Sequence, residues 1–284
     1  MSSSSVKRSN FYKVASRYGQ LMQKNHYLSG SEQRVYGTIA HARLISTGEV
    51  VDMFPGMGKD MVYKVLSSLQ KKGRLYRIKQ GMYLVQKRPS HEPVIEDPYE
   101  IALALYSGYI GFSSALRLYD LMEYEPFTVF VVTPHTSRTR EIGDYTFRAV
   151  AMGELAVGMT SHRGLYVSSL EKTFFDCFYK PQHAGGYGTV TKALYDKGGM
   201  DWNRFLDYFQ RFASHSLCQR TGYVLDRMQR ELDFEVPERV VSFFLRNRGD
   251  RTKLIPTAPS RGSYSGKWNI LDNTGSLLGW YHGY

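Results

Sequence analysis

Cysteine is scarce in this sequence: Cys177 and Cys218 are the only two in 284 residues. Two thiols build no disulfide framework, and a reducing cytoplasm is the expected setting. Long apolar runs are missing too; none reaches the ~20 residues a membrane helix needs, so a soluble chain with no membrane partner is expected. The opening MSSSSVKRSN has basic residues with no apolar stretch behind them, which is not the pattern of a secretory signal. Acidic residues are what the first third lacks. Met1 to Arg88 carries 16 Lys/Arg against 4 Asp/Glu, whereas Pro89 to Tyr284 carries 21 against 22. Positive charge sorted so sharply to one end points to a polyanionic partner.

What is present suffices for real cores: 42% hydrophobic and 14% aromatic residues. A chain of this length is expected to hold two domains. Residues 1–31 read as a basic arm, with Lys7, Arg8, Lys13, Arg17 and Lys24 among serines and tyrosines. Residues 32–88 carry three helical patterns and a hairpin. Val35, Ile39 and Ala42, followed by Leu44 and Ile45, suit a first helix closed by Gly48. Glu49 to Phe54 suits a short second one, broken by Pro55-Gly56. Lys59 to Lys72 places Val62, Val65, Leu66 and Leu69 on one apolar stripe, and Gly73 stops it. The opposite face displays Lys59, Asp60, Tyr63, Lys64, Ser67 and Lys71. Leu75 to Ile78 and Met82 to Val85 then alternate as two strands around Lys79-Gln80-Gly81, where glycine supplies a tight turn.

Three helices followed by a basic hairpin is the order of a winged helix-turn-helix. The third helix fits a major groove and presents side chains to base edges, while Arg74, Arg77 and Lys79 reach flanking phosphates. The predicted partner is double-stranded DNA. A three-helix unit with a hairpin also serves protein contacts in some chains, and the local charge favours nucleic acid.

Residues 89–98 contain three prolines, Pro89, Pro93 and Pro98, and read as a linker. Residues 99–235 read as a mixed α/β domain with a small sheet and several helices, so the chain as a whole is expected to be α+β. Asp97 is placed to cap a helix from Pro98, and a second helix is expected at Ser113 to Met122. Strands are expected at Phe127 to Thr133, Tyr145 to Met152 and Gly164 to Val167. Further helices are expected at 169–179, 187–196, 201–213 and 216–232. Residues 236–284 read as a basic C-terminal extension with a helix over Val236 to Leu245 and an extended piece at Lys253 to Pro256. A closing hairpin is expected there, with Lys267 to Leu271 and Ser276 to Trp280 flanking Asp272-Asn273-Thr274-Gly275.

Several stretches together resemble a known family. MVYKVLSSLQKKGRLYRIKQGMYLV is similar to the N-terminal module of AbiEi-type antitoxins, also described as predicted transcriptional regulators of viral defence systems. YIGFSSALRLYDLM, FTVFVVTP, VSSLEKTFFDCFYKP and the glycine-rich HAGG follow in the order of that family, so that the likeness spans about Val35 to Met228. The resemblance implies a repressor that binds an inverted repeat in its own promoter, and a C-terminal domain that opposes a nucleotidyltransferase-like toxin in a type IV toxin-antitoxin system. The family-like S-x-E-K-T-x-x-D pattern runs from Ser169 to Asp176. Its Glu171, Lys172 and Asp176 are either a partner-binding surface or the start of a capped helix, with Ser168 or Ser169 as cap and Lys172 paired with Asp176.

No catalytic constellation emerges. Gly111-Phe112-Ser113-Ser114-Ala115 has the outline of a nucleophile elbow, but Tyr106 to Ile110 is a poor strand to precede one, and Ser113 reads better as a helix cap. Gly262-Ser263-Tyr264-Ser265-Gly266-Lys267 is one residue short of a phosphate loop and has Trp268 where a magnesium-holding hydroxyl belongs. Gly185-Gly186-Tyr187-Gly188 lacks dinucleotide-binding spacing. Cys177, His183, His215 and Cys218 do not have zinc spacing, so no metal, cofactor or enzymatic activity is expected. The competing reading is a nucleic-acid-processing enzyme or accessory factor that uses its winged helix only for positioning.

Overall fold

The computed structural model describes residues 27–124, 127–275 and 277–282. Most of the expected basic arm therefore lies outside the described residues. The chain divides into two compact units, Met1–Asp97 and Pro98–Tyr284, and both combine helices with sheets, so the protein is α+β.

In the first unit α1 spans Gly30–Ile39, opened by a capping box in which Ser29 and Glu32 exchange hydrogen bonds. The chain then forms a strand, β1 (Leu44–Ser46), and the short helix α2 (Thr47–Met53). The first helix thus ends well before Gly48, which lies inside α2. One cause is local and one is distant: Ser46 caps α2 through a second capping box with Glu49, and Ile45 is drawn into a β pairing with Tyr83. Helix α3 (Lys59–Lys71) buries Val62, Val65, Leu66 and Leu69, the stripe that periodicity predicts. Gly73 follows with φ +67, and a Cβ there would meet the backbone of Ser90 at 2.8 Å, so this stop needs glycine on two counts. Strands β2 (Leu75–Lys79) and β3 (Met82–Val85) form the expected hairpin, and β1 adds to β3 to give the order β1-β3-β2, all antiparallel. Gly81 has φ +70 in the turn. A register shift between Arg77 and Lys79 breaks the alternation, so that Ile78 is fully buried while Arg77 stays exposed. The core joins Val35, Ile39 and Ile45 to Val50, Phe54 and the α3 stripe.

The second unit starts with α4 (Pro98–Leu105), the short strand β4 (Tyr109–Ile110) and α5 (Phe112–Leu118). Strands β5 (Thr128–Thr133), β6 (Arg138–Ile142), β7 (Tyr145–Ala151), β8 (Met159–His162) and β9 (Leu165–Ser168) complete a six-stranded mixed sheet in the order β6-β7-β5-β4-β9-β8. The sheet is wider than expected because β4, β6 and β8 are short or polar and give no apolar signal of their own. Helix α5 starts at Phe112, and its cap position is Gly111. Ser113 is therefore not the cap; it is buried inside the helix.

Helices α6 (Leu170–Tyr179), α7 (Tyr187–Lys197), α8 (Trp202–Phe212) and α9 (His215–Leu232) surround one aromatic core. The residues expected to form a separate extension after Glu235 belong to this same unit. Helix α10 (Glu238–Arg246) and the sheet β10 (Thr252–Lys253), β12 (Ile270–Asp272) and β11 (Ser263–Ser265) contribute Val240, Phe244, Leu254, Trp268 and Ile270 to that core. The expected closing hairpin does not form: β12 pairs backward with β11 and in parallel with β10, and Gly279–His282 is a short helix, α11. No helix among the described residues is long and apolar enough to cross a membrane.

Candidate nucleic-acid interface

The site is built on the outer side of α3. Because Val62, Val65, Leu66 and Leu69 face the core, Asp60, Tyr63, Lys64, Ser67 and Lys71 recur at three- and four-residue intervals on the opposite side. All five are exposed, as is Lys59, and Tyr63 has 55% of its surface open. The six residues that the sequence assigned to this face therefore lie on it together. Met61 and Gln70 are exposed on the same helix. Both were missed because an apolar or uncharged side chain on a helix surface carries no charge signal.

Electrostatics narrows the basic set. Lys72 gives its ammonium to buried Glu32 at 2.6 Å. Burial raises the Glu32 carboxyl, but hydrogen bonds from Lys72, Ser68 and Ser29 outweigh it and hold the group at about 2. Lys87 pairs with Glu96, and Arg43 with Glu96 and Asp97. In contrast Lys59, Lys64, Lys71, Arg77 and Lys79 have no carboxylate within ion-pair distance among the described residues. Their field is left for something outside the unit.

The hairpin residues divide. Arg77 is exposed and Lys79 half-buried, with the Arg77 Nε donating to the Lys79 carbonyl at 3.4 Å. Arg74 differs from expectation. Its guanidinium lies 4.9 Å from the centre of the Tyr36 ring and donates to the Tyr36 hydroxyl at 3.5 Å, while that hydroxyl donates to the Gln86 carbonyl at 2.6 Å. A half-buried arginine stacked on a fixed ring fastens α1 to the end of the hairpin, so part of the Arg74 guanidinium is engaged within the fold.

Of the other sequence-assigned residues, in the second unit, Lys172 and Asp176 lie in the core, whereas Glu171 lines an open pocket with Tyr119, Ser169 and Tyr208. Ser169 caps α6 by accepting from the Lys172 amide. Lys172 and Asp176 are fully buried and joined at 2.5 Å, and Glu171 is 7% exposed. The Lys172 ammonium also lies 5.4 Å from the Phe175 ring and 5.9 Å from that of Tyr208. Burial drives the Asp176 carboxyl up and the Lys172 ammonium down, each opposed by the charge of the other. A partner docking on the folded unit does not touch Lys172 or Asp176, so these two hold the core as the capped-helix alternative expects and are not a contact surface. In the elbow-like stretch Ser113 is buried and Ser114 is engaged by the backbone. Ser114 accepts from the Phe130 amide at 2.9 Å, and the left-handed backbone falls on Phe112, φ 53, rather than on a serine. Cys177 and Cys218 are buried, and His183 packs against the rings of Phe112 and Phe130.

Comparison with known proteins bears on the fold. No protein-family model matches the chain, and no curated protein matches it. Among solved structures, it is similar to the crystal structure of the Rv2827c protein from Mycobacterium tuberculosis. That likeness has a TM-score of 0.66 at 15% sequence identity, covering 91% of this chain and 97% of that one. Identity this low establishes a shared fold and nothing about shared chemistry.

Proposed function

We propose that this protein is a DNA-binding transcriptional repressor whose first unit acts as a winged helix-turn-helix. In this reading α2 and α3 are the helix-turn-helix with Phe54 to Gly58 as the turn, α3 enters the major groove, and the β2–β3 hairpin is the wing beside it. The observation that carries the reading is the outer face of α3, where Lys59, Lys64 and Lys71 are exposed around Tyr63 and Ser67 and have no carboxylate partner among the described residues. Lysines without carboxylate partners supply the sequence-independent attraction to phosphates. Tyr63 and Ser67, central on the same face, are the residues that read bases. The resemblance to AbiEi-type antitoxins extends the proposal: the target is an inverted repeat in the protein's own promoter, and the partner is a nucleotidyltransferase-like toxin in a type IV toxin-antitoxin system.

The test is binding of the full chain to duplex DNA from upstream of its own gene across a salt series. Log K should fall linearly with log salt by about 0.9 for each phosphate neutralised. Replacing Lys64 and Arg77 by alanine should weaken binding to every duplex and flatten the slope by about 2, one for each lysine or arginine removed. An unchanged affinity in low salt for that double variant overturns the interface. The antitoxin half is tested separately by co-expressing the protein with the nucleotidyltransferase-like product of a neighbouring gene; growth arrest that the protein does not relieve rules that half out.

A further inference from the structure

The formal charge of the second unit conceals a local excess. From Arg246 to Lys267 the chain has six basic residues against one acidic residue, Asp250. Lys267 is spent on Asp226 at 2.5 Å. Arg246, Arg251, Lys253 and Arg261 have no carboxylate partner among the described residues. Repulsion among like charges makes such a cluster unfavourable in an isolated fold, so its charge calls for an anion.

Two of these side chains, Arg251 and Lys253, line an open pocket. About 440 Å³ of space is lined by Arg251, Thr252, Lys253, Pro256, Ser260 and Leu271. Its rim is held by side-chain hydrogen bonds: Asn273 donates to the carbonyls of Ile255 at 2.9 Å and Pro259 at 3.0 Å and accepts from the Ile255 amide at 2.9 Å. Lys253 is anchored by one hydrogen bond to the Ala258 carbonyl, 2.8 Å, which leaves two ammonium protons for a ligand. Arg220 braces β10 from below, donating to the Lys253 carbonyl at 2.9 Å and to the Thr252 hydroxyl at 3.1 Å. Beside the cavity stands Tyr264, with 52% of its surface open. Its hydroxyl donates to Asn269 Oδ1 at 2.5 Å, and the Arg251 guanidinium lies 5.0 Å from its ring centre. An exposed ring held at its hydroxyl end and stacked by an arginine is a prepared platform for a flat, electron-poor or aromatic group.

We propose that this cavity and the Tyr264 platform form a single-stranded nucleic-acid site, separate from the α3 face, in which a backbone phosphate sits between Arg251 and Lys253 and an adjoining base stacks at Tyr264. Cationic side chains beside an exposed aromatic ring are the combination that binds unpaired strands and tolerates sequence. A duplex keeps its bases stacked inside and offers nothing to the ring, so the geometry favours a single strand over a double one. The contact is independent of the proposed reading of duplex DNA by the first unit.

Fluorescence anisotropy of the full chain with labelled oligothymidylate and oligouridylate of about a dozen residues tests it. Arg251→Ala and Tyr264→Ala should each lower affinity at least about fivefold, a loss on the order of one stacked base or one well-placed charge. Tyr264→Phe, which keeps the ring, should retain most of the binding. The Lys64→Ala, Arg77→Ala double variant should bind the single strand as the parent does. The proposal is overturned if the parent does not bind either oligonucleotide in low salt, or if Arg251→Ala and Tyr264→Ala, with the parent's thermal transition, bind as tightly as the parent. It is equally overturned if the Lys64, Arg77 variant loses the single strand, or if thymidine monophosphate competes as well as the oligonucleotide, which marks a free-phosphate pocket.

Discussion

Gly222, in the middle of α9, is where a single residue's size matters most. A Cβ there would lie 2.3 Å from the Trp268 ring and 2.7 Å from the Phe244 Cβ, closer than van der Waals contact permits. Alanine is the better helix former by about 1 kcal/mol, yet overpacking a filled core costs about 1–3 kcal/mol and more where the neighbours cannot move. Trp268 is fully buried and cannot move aside. Gly222→Ala should therefore lower the stability of the second unit despite its helix propensity, measurable as a reduced denaturant midpoint with an unchanged slope. The stability that Glu32 contributes depends on pH. With its folded carboxyl held at about 2 against an ordinary value of 4.5, the unfolded chain binds the extra proton between those values. The stabilisation is then complete above about pH 4.5 and lost as pH falls toward 2. Its size is on the order of 2 to 3 kcal/mol. Glu32→Gln should be less stable than the parent at neutral pH and show a flatter decline over that acid window in unfolding followed at several pH values.

At the scale of the element, α3 serves two tasks on two faces, and substitutions on them should separate cleanly. Leu66→Ala on the buried face removes a fully buried side chain, expected to cost about 2–5 kcal/mol and to lower the melting temperature of the first unit. Tyr63→Ala and Ser67→Ala on the exposed face should leave stability within about 0.5 kcal/mol. Their effect should appear as altered preference among duplex sequences, compared by competition binding. A stability loss from Ser67→Ala equal to that from Leu66→Ala would put the outer face inside a contact and remove the case for an open interface. Periodicity made both faces legible, because a stripe at i, i+3, i+4 and i+7 leaves only one way to turn the helix. The same reasoning misplaced the first helix: Ala42, Leu44 and Ile45 extend an apolar pattern past its end, and a hairpin found 40 residues later claims Leu44–Ser46 as a third strand.

Across the whole molecule, the second unit closes only with its last fifty residues. Val240, Phe244, Trp268 and Ile270 pack with Phe205, Phe209 and Val224 in one cluster, and Asp226 and Arg227 of α9 pair with Lys267 and Asp272. Truncation after Glu235 should abolish the cooperative thermal transition of this unit, read by calorimetry against the full chain. A construction of separate domain plus appendage instead requires that the shortened chain melt as the parent does.

By itself the sequence determined the charged end, the α3 stripe, the β2–β3 hairpin and most helices of the second unit, since these rest on spacing within a few turns of one element. Tertiary structure alone decided which charges are free. Lys72, Lys87 and Arg43 look as available as Lys64 in the sequence, and only folding brings Glu32, Glu96 and Asp97 to them. It also decided that Lys172 and Asp176 are buried, that the two-residue strand β4 and the polar strands β6 and β8 join the sheet, and that the basic tail lines a pocket. Each of these depends on neighbours distant along the chain, and no local pattern encodes which distant group will arrive.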